Sequence, residues 1–370
     1  MNVKVAIVDH VGLKAGMDLY DLALYKSLRQ LGCESFIYSN FDSAEKGIFK
    51  RFRFRVSENL FSFFLMTFKY RKISHDISRR GISHCIVHGF RFGLPEWLLV
   101  NILKRSSIKI YMIVHDPESL LETGKSSKWK KKIFELCEAI IVHNAFSADE
   151  LSKEFNDFEK SKVAVIPHGH FIDTAVVPAD SERFKAKYNL DKKSKHILFF
   201  GQIKKSKGLA LLLEALPVTD SAICVIIAGR MRKHNFDEYQ DLIDRNNLGS
   251  RIKIFPGYIT PEMRNELFHL SDAVVVPYTK VFQSGVLLMA MSYGKAVIAS
   301  DLPPNREIIT DKENGFLFQS GNKESLAVSI NNVMSDDAKR AEVAMNGKVA
   351  VESRHQWNSI ADQWIKLFQQ

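Results

Sequence analysis

The chain has 370 residues, enough for two domains of ordinary size that each bury a core. With 46% hydrophobic and 25% charged residues it is a globular sequence and not a disordered one. A formal net charge of +10 and a pI near 9.2 call for an anionic partner, for which nucleic acid, a membrane surface and an anionic small substrate all qualify.

The first residues, MNVKVAIVDH, read as a strand and lack the long apolar run of a signal peptide. No apolar stretch approaches the roughly 20 residues needed to span a bilayer. Strands are expected at Val3 to Val8, Glu34 to Tyr38, His84 to His88, Ile108 to Val114, Ala139 to Val142 and Val163 to Ile166. Between the first two, Asp18 to Leu31 reads as a helix, with Leu19, Leu22, Ala23, Tyr25, Lys26 and Leu28 at spacings of three and four. The pattern restarts with strands at His196 to Phe200, Ala222 to Ala228, Ile252 to Phe255, Ala273 to Val276 and Ala296 to Ala299. Helices are expected at Ala210 to Leu216, Asp237 to Asn246, Pro261 to Leu270 and Ser284 to Tyr293. Such alternation implies α/β architecture: two doubly wound, Rossmann-like domains with parallel sheets covered on both faces. The expected division is 1–172 and 173–353. An amphipathic last helix, Trp357 to Phe368 within about 354–370, packs back on the first domain through Trp357, Ile360, Ala361, Trp364 and Leu367. Cys33, Cys85, Cys137 and Cys224 lie far apart without metal-ligand spacing and read as buried reduced thiols, in keeping with a cytosolic location.

Five segments could carry chemistry. Val274 to Phe318 runs strand, Pro277, loop, Ser284-Gly285, helix, strand. Its helix start presents unpaired N–H groups and the positive end of the helix dipole, a cradle for a nucleotide diphosphate. In Phe200-Gly201-Gln202-Ile203-Lys204-Lys205-Ser206-Lys207-Gly208, two ammonium groups three residues apart could neutralise a departing diphosphate, or simply form a solvated basic loop. His115, in His115-Asp116-Pro117, follows a buried strand and could orient a sugar hydroxyl or be a core or rim histidine; His143, His168 and His170 sit at similar strand ends. Gly12 and Gly16 after the first strand fit neither the dinucleotide fingerprint nor the P-loop, and a tight turn accounts for them equally well. From Lys46 to Arg80, ten Lys or Arg stand against Glu58 and Asp76 amid many phenylalanines, and Lys125 to Lys132 holds five more lysines. Peripheral contact with an anionic membrane through about 46–80 and 125–132 is expected, against the alternative that the phenylalanines pack into the first domain. Nucleic acid lacks a recognised module here.

The ordered set His-Asp-Pro, Ile-Pro-His-Gly, Phe-Phe-Gly…Lys-Gly, Ser-Asp-Ala…Pro-Tyr, Ser-Gly-Val-Leu, Gly-Lys-Ala-Val-Ile-Ala-Ser-Asp and Asn-Gly-Phe-Leu resembles the retaining GT-B glycosyltransferases of family 4. The likeness spans nearly the whole chain and is strongest from Val163 to Phe318. It implies two Rossmann-like domains facing across a cleft and sugar transfer from a nucleotide donor with retention, without metal or other cofactor. It also implies that Lys204 and Lys207 grip the donor diphosphate, together with Gly201 and the helix start at Ser284, Gly285 and Val286. Gly16 matches the loop closing over the donor, His115 the histidine near the transferred sugar, and Glu307 a glutamate after the Ser-Asp strand. The position after Gly201, often arginine in the family, is Gln202. Two glutamates eight apart are common in the family; Val281 and Met289 stand there instead, and neither can accept a hydrogen bond as a carboxylate.

These readings give a glycosyltransferase at the cytoplasmic face of the membrane, acting on a glycan or polyprenyl-linked acceptor in cell-surface polysaccharide synthesis. The alternatives are a sugar-nucleotide epimerase of the same fold and a non-catalytic partner subunit.

Overall fold

The computed structural model describes the whole chain except residues 1–2, 11, 16, 42, 52–59, 91, 116–124, 154–159, 177–180 and 232–234. It divides into two compact units, Met1–Gly169 with Gln356–Gln370, and His170–His355.

In the first unit the elements run β1 (Lys4–Val8), α1 (Met17–Gln30), β2 (Glu34–Ser39), β3 (Ile48–Lys50), α2 (Leu60–Arg79), β4 (His84–Gly89), α3 (Leu94–Arg105), β5 (Lys109–Val114), α4 (Lys125–Leu136), β6 (Ala139–Val142), α5 (Ala145–Ser152) and β7 (Val163–Val165). The strands form one sheet in the order β3-β2-β1-β4-β5-β6-β7, every neighbouring pair parallel. A parallel sheet is buried on both faces, and the alternation along each strand divides its side chains accordingly. Ala6, Val8, Cys85, Val87, Ile110 and Met112 face one core, with residues of α2, α3 and α4. Val5, Ile7, Ile37, Ile86, Tyr111 and Ile113 face the other. That second face is covered by α1 and by the last helix of the chain (Trp357–Phe368), which buries Trp357, Ile360, Ala361, Trp364 and Phe368. Gly169 makes this docking sterically feasible: a Cβ there would lie 2.1 Å from the Trp357 ring.

The second unit restarts the same topology. Its elements are α6 (Ser181–Lys187), β8 (Lys195–Phe200), α7 (Leu209–Ala215), β9 (Ile223–Gly229), α8 (Asp237–Arg245), β10 (Ile252–Pro256), α9 (Pro261–Leu270), β11 (Ala273–Val276), α10 (Gly285–Ser292), β12 (Ala296–Ser300), α11 (Pro303–Arg306), β13 (Phe316–Phe318), α12 (Lys323–Ser335) and α13 (Asp337–Arg354). Strand order is β10-β9-β8-β11-β12-β13, all parallel. Each sheet therefore reverses direction once, between β1 and β4 and between β8 and β11. In open α/β sheets such a switch point, at the carboxyl ends of the strands, is where ligands bind.

Local signals set several boundaries. Thr260 caps α9, its hydroxyl accepting the Met263 N–H at 3.3 Å, and Pro261 supplies the first helical φ. Gly294, at φ +64, ends α10 in the left-handed conformation that glycine tolerates. Strands β3 and β13 are absent from the sequence expectation; each is three residues long, Ile48-Phe49-Lys50 and Phe316-Leu317-Phe318, without the valines that mark the equally short β7. The buried stripe of α1 also differs from the expected one. Tyr20, Asp21, Leu24, Tyr25, Ser27 and Leu28 point inward, while Leu19, Leu22 and Ala23 are only half-buried and Lys26 is exposed. Counting apolar residues passes over a stripe whose centre is a carboxylate. The four cysteines are free; Cys33, Cys85 and Cys137 are buried, while Cys224 is half-buried. Among the described residues no helix is long and apolar enough to cross a membrane.

Candidate active site

At the switch point of the second sheet, two strand exits and one helix start come together. After β8 the chain passes Gly201 at φ +106 and makes a single 3-10 turn at Lys205–Lys207. It enters α7 through Gly208 at φ +71. After β11 it passes Pro277 and Tyr278 and reaches α10 through Ser284. The two exits are stitched by the Thr279 N–H, which donates to the Ser206 carbonyl at 3.0 Å. The Lys207 ammonium lies 3.7 Å from the centroid of the buried Tyr278 ring. Ser284 Oγ stands 3.5 Å from the Tyr278 hydroxyl, at the outer limit of a hydrogen bond. Val286, in the first turn of α10, packs over Gly201, where an added Cβ would come within 3.3 Å of its methyl.

The sequence brings Ser284 forward as a donor of N–H groups; its side chain does something more specific. Its Oγ accepts the Leu287 N–H at 3.1 Å and caps the helix. Among the described residues the N–H groups of Gly285 and Val286 have no acceptor. They are the orphan donors of the first turn, at the positive end of the helix dipole. Lys207, Gly201, Ser284, Gly285 and Val286 are thus gathered at one end of one sheet. Lys204 begins the 3-10 turn, half-buried, with extended backbone at φ −143. Glu307 is exposed and follows α11 at the carboxyl end of β12. Gly16 lies outside the described residues. Val281 is half-buried and Met289 is buried within α10, so neither position offers a carboxylate. Sequence reasoning missed Tyr278, whose signal was only a tyrosine directly after the strand-ending Pro277.

In the first unit His115 stands half-buried at the end of β5. It belongs to a group of four histidines around the buried Tyr20 ring: His88, His115, His143 and His168, with ring centroids 5.0–5.9 Å from it. His115 Nε2 is 2.7 Å from His88 Nδ1, and the two rings are within 7° of parallel. On its far side His88 Nε2 lies 3.0 Å from Asp21 Oδ1 in α1; both groups are wholly buried, and neither atom makes an aligned hydrogen bond. Burial, with the charges of His88, His143 and His168 added, holds the His115 imidazole well below its ordinary range. Burial raises the Asp21 carboxyl to about 7, the nearby His88 opposing that rise and Asp9 adding to it. Burial disfavours charge on His88 too, but Asp21 and Asp9 outweigh it and raise that imidazole. Asp21 and His88 were not singled out from the sequence, because a lone acidic residue in α1 carries no motif.

The basic, aromatic segment divides between the two readings given to it. In α2, Met66, Tyr70, Ile73 and Ile77 are buried in the core, while Phe64 and Phe68 are 67% and 57% exposed. Arg71 and Lys72 are exposed beside them, with the Lys72 ammonium 4.5 Å from the Phe68 ring centroid. Arg53, Arg55 and their phenylalanine neighbours lie outside the described residues. In α4, Lys130 is turned inward and only 7% exposed, so that lysine faces no surface. Among the described residues no group of three or more His, Cys, Asp or Glu is placed to hold a metal ion.

Residues 180–350, most of the second unit, match the model of the family described as glycosyl transferases group 1. Over those residues the chain is similar to the group 1 glycosyl transferases. It is 28% identical over 243 residues to an uncharacterized glycosyltransferase of Methanocaldococcus jannaschii, covering 64% of this chain and 60% of that one. It is 27% identical over 212 residues to the lipopolysaccharide 1,2-N-acetylglucosaminetransferase of Salmonella typhimurium, covering 55% of each. The match thus spans little more than half the length of these relatives. In fold, Anabaena HepE, solved in complex with UDP and glucose, superposes over 100% of both chains with a TM-score of 0.81 at 17% identity. Sucrose-phosphate synthase of Thermosynechococcus elongatus superposes over 100% of this chain and 98% of its own, with a TM-score of 0.79 at 18% identity. The fold is GT-B: two parallel-sheet α/β domains.

Proposed function

We propose that the protein is a retaining, metal-independent glycosyltransferase, which moves a hexose from a nucleotide-diphosphate donor to a glycan or lipid-linked acceptor. The reading is carried by the ammonium of Lys207 and the open N–H groups of Gly285 and Val286, set around the Tyr278 ring at the switch point of one sheet. A cation and a helix N-terminus at one place suit a diphosphate. In the proposed step the bond from the anomeric carbon to the diphosphate oxygen breaks, and the acceptor oxygen bonds to that carbon on the same face. The acceptor proton passes to the departing diphosphate oxygen, so no protein base is required. Lys207, Lys204 and the two amides stabilise the negative charge that develops on the leaving group. His115 is assigned to the transferred sugar by the family resemblance. A UDP-bearing structural neighbour and a lipopolysaccharide-modifying relative support the substrate class.

The test offers a panel of nucleotide sugars with a polyprenyl-linked acceptor extract, in the presence of a metal chelator, and follows products by mass spectrometry. An acceptor heavier by one hexose is expected from one donor. Conversion of a nucleotide sugar to its epimer without acceptor, a product of unchanged mass separated by chromatography, would indicate an epimerase instead. Donor binding without any product would favour a non-catalytic subunit, the reading to which Val281 and Met289 lend weight.

The proposal includes contact with an anionic membrane through α2. Its support is the outward pair Phe64 and Phe68 with Arg71 and Lys72 beside them. Each basic residue near such a surface adds about 1 kcal/mol, and inserted apolar side chains add to it. Replacing both phenylalanines by serine is expected to reduce co-flotation with phosphatidylserine vesicles at least tenfold, leaving the melting temperature nearly unchanged. Equal flotation of the variant and the parent would remove α2 from the membrane contact.

A further inference from the structure

The proposed reaction uses the carboxyl ends of the second sheet and leaves its amino ends untouched. There the turns entering β11 and β12, with one face of α13, line a cavity of about 350 Å³, at the lower end of the range of small-ligand pockets. Asp337, Arg340, Ala341 and Ala344 recur at helical spacing along that face, and the two alanines leave the room. The charged side chains of the other walls are Asp272, just before β11, Lys295, just before β12, and Lys185 of α6.

We infer that this cavity is a second anion site, which takes a phosphate group, free or carried by a small molecule. It stands apart from the donor assignment, because Lys207 and the start of α10 lie beyond the other end of the strands, roughly 13 Å away along the four residues of β11. Both carboxylates of the lining are already engaged. Asp337 Oδ1 is shared by Lys195 Nζ at 2.6 Å and Arg340 Nη1 at 2.7 Å. Asp272 Oδ2 accepts the His196 N–H at 2.7 Å, and its Oδ1 lies 3.8 Å from Arg340 Nη2. Arg340 is held in place, since its Nη1 also donates to the Val333 carbonyl at 3.2 Å. Lys295 is the group left over. Its half-buried ammonium donates one hydrogen bond, to the His269 carbonyl at 3.0 Å, and among the described residues no carboxylate stands within ion-pairing distance of it. Two of its three donors are therefore unused. Burial holds its pKa below the usual lysine range, with Arg340 acting in the same direction and Asp272 against it. An ammonium drawn out of water beside another cation is costly without a counter-ion, and a bound anion removes that cost. With Lys195 included, four cations, Lys185, Lys195, Lys295 and Arg340, face the two carboxylates. The excess of two matches a phosphate dianion, and a fixed guanidinium beside ammonium groups suits its oxygens.

The test titrates the full chain with inorganic phosphate and with glycerol 2-phosphate by calorimetry, at matched ionic strength and with glycerol as the neutral control. Saturable binding of at least one of the two is expected; its absence overturns the inference. Tighter binding of the ester would mark a phosphomonoester as the ligand, and equal binding would mark free phosphate. Lys207→Ala separates this site from the donor site. Binding is expected to persist in that variant and to weaken at least tenfold when Lys295→Met is added, the weight of one charge-assisted hydrogen bond. Binding abolished by Lys207→Ala alone, or unchanged by Lys295→Met, would place the anion elsewhere and overturn the inference. Labelling of the parent protein decides the matter even if Lys295→Met does not fold. In a brief acetylation with an N-hydroxysuccinimide ester, read by peptide mass spectrometry, glycerol 2-phosphate is expected to slow modification of Lys295 severalfold and to leave the exposed Lys323 unaffected. Equal rates at Lys295 with and without the phosphate would show that no anion covers it. Neither readout requires sugar transfer, so failure of the proposed reaction leaves this test intact.

Discussion

Replacing Lys207 by alanine is expected to lower kcat by about 10²- to 10³-fold, with a smaller change in the apparent KM for the donor. Removal of one preorganised group aimed at developing charge costs this much in other acyl- and phosphoryl-type sites. In the proposed reaction the effect falls on kcat because the diphosphate would gain charge as the bond to the sugar breaks, so the ammonium would interact more strongly in the transition state than in the ground state. The position of the side chain makes the variant interpretable. Lys207 is half-buried, with its ammonium 3.7 Å from the Tyr278 centroid, an interaction of roughly 1–2 kcal/mol when partly desolvated. Its loss should lower the melting temperature by only about 2–8 °C, far too little to unfold the protein at assay temperature. Lys207→Arg keeps the charge and can stack on the same ring, but its planar fork directs hydrogen bonds differently, so partial recovery is expected. Turnover by Lys207→Ala equal to that of the parent, in a folded protein, would remove this turn from the reaction.

Why the Lys207 turn stands out in the sequence while its meeting with Tyr278 does not is a matter of range. The strand exits, the lysine turn and the capped helix start are local patterns, each written in fewer than a dozen residues. Thr260-Pro261 and Ser284-Gly285 mark helix starts through side-chain oxygens and backbone freedom that act within one turn. The meeting of Lys207 with Tyr278 depends instead on β8 and β11 lying side by side, which is a property of sheet order. Asp21 and His88 pair for the same reason, across an interface between a helix and the sheet. Helix α13 shows the converse case. It carries Gly347 in its interior, against propensity, because a Cβ there would lie 2.7 Å from the Asn314 carbonyl oxygen. A tertiary approach overrides the local preference, and no window of sequence contains both partners.

The largest structural effect is expected at Gly208. Gly208→Ala should destabilise the protein by more than about 4 kcal/mol, a large share of the 5–15 kcal/mol typical of folded proteins. Two costs combine. At φ +71 a side chain pays roughly 1–2 kcal/mol for the left-handed conformation. The new Cβ would also stand 1.8 Å from the Pro277 carbonyl oxygen and 2.8 Å from its carbon. These are backbone atoms at the exit of β11, tied nearby by the Thr279–Ser206 hydrogen bond, so relief requires moving a strand end and not a rotamer. Gly321→Ala separates the two costs. Gly321 has φ +75, and a Cβ there meets nothing within 4 Å, so only the conformational cost of about 1–2 kcal/mol applies. Urea unfolding of the two variants beside the parent measures the difference directly. If the Gly208 variant also survives as a partly folded protein, its turnover should fall below that of the Gly321 variant, because the displaced strand exit carries Tyr278 away from Lys207. Equal stability losses at the two positions would mean that the β11 exit yields readily, and the close approach of the two loops could not then be what sets the Lys207 ammonium in place.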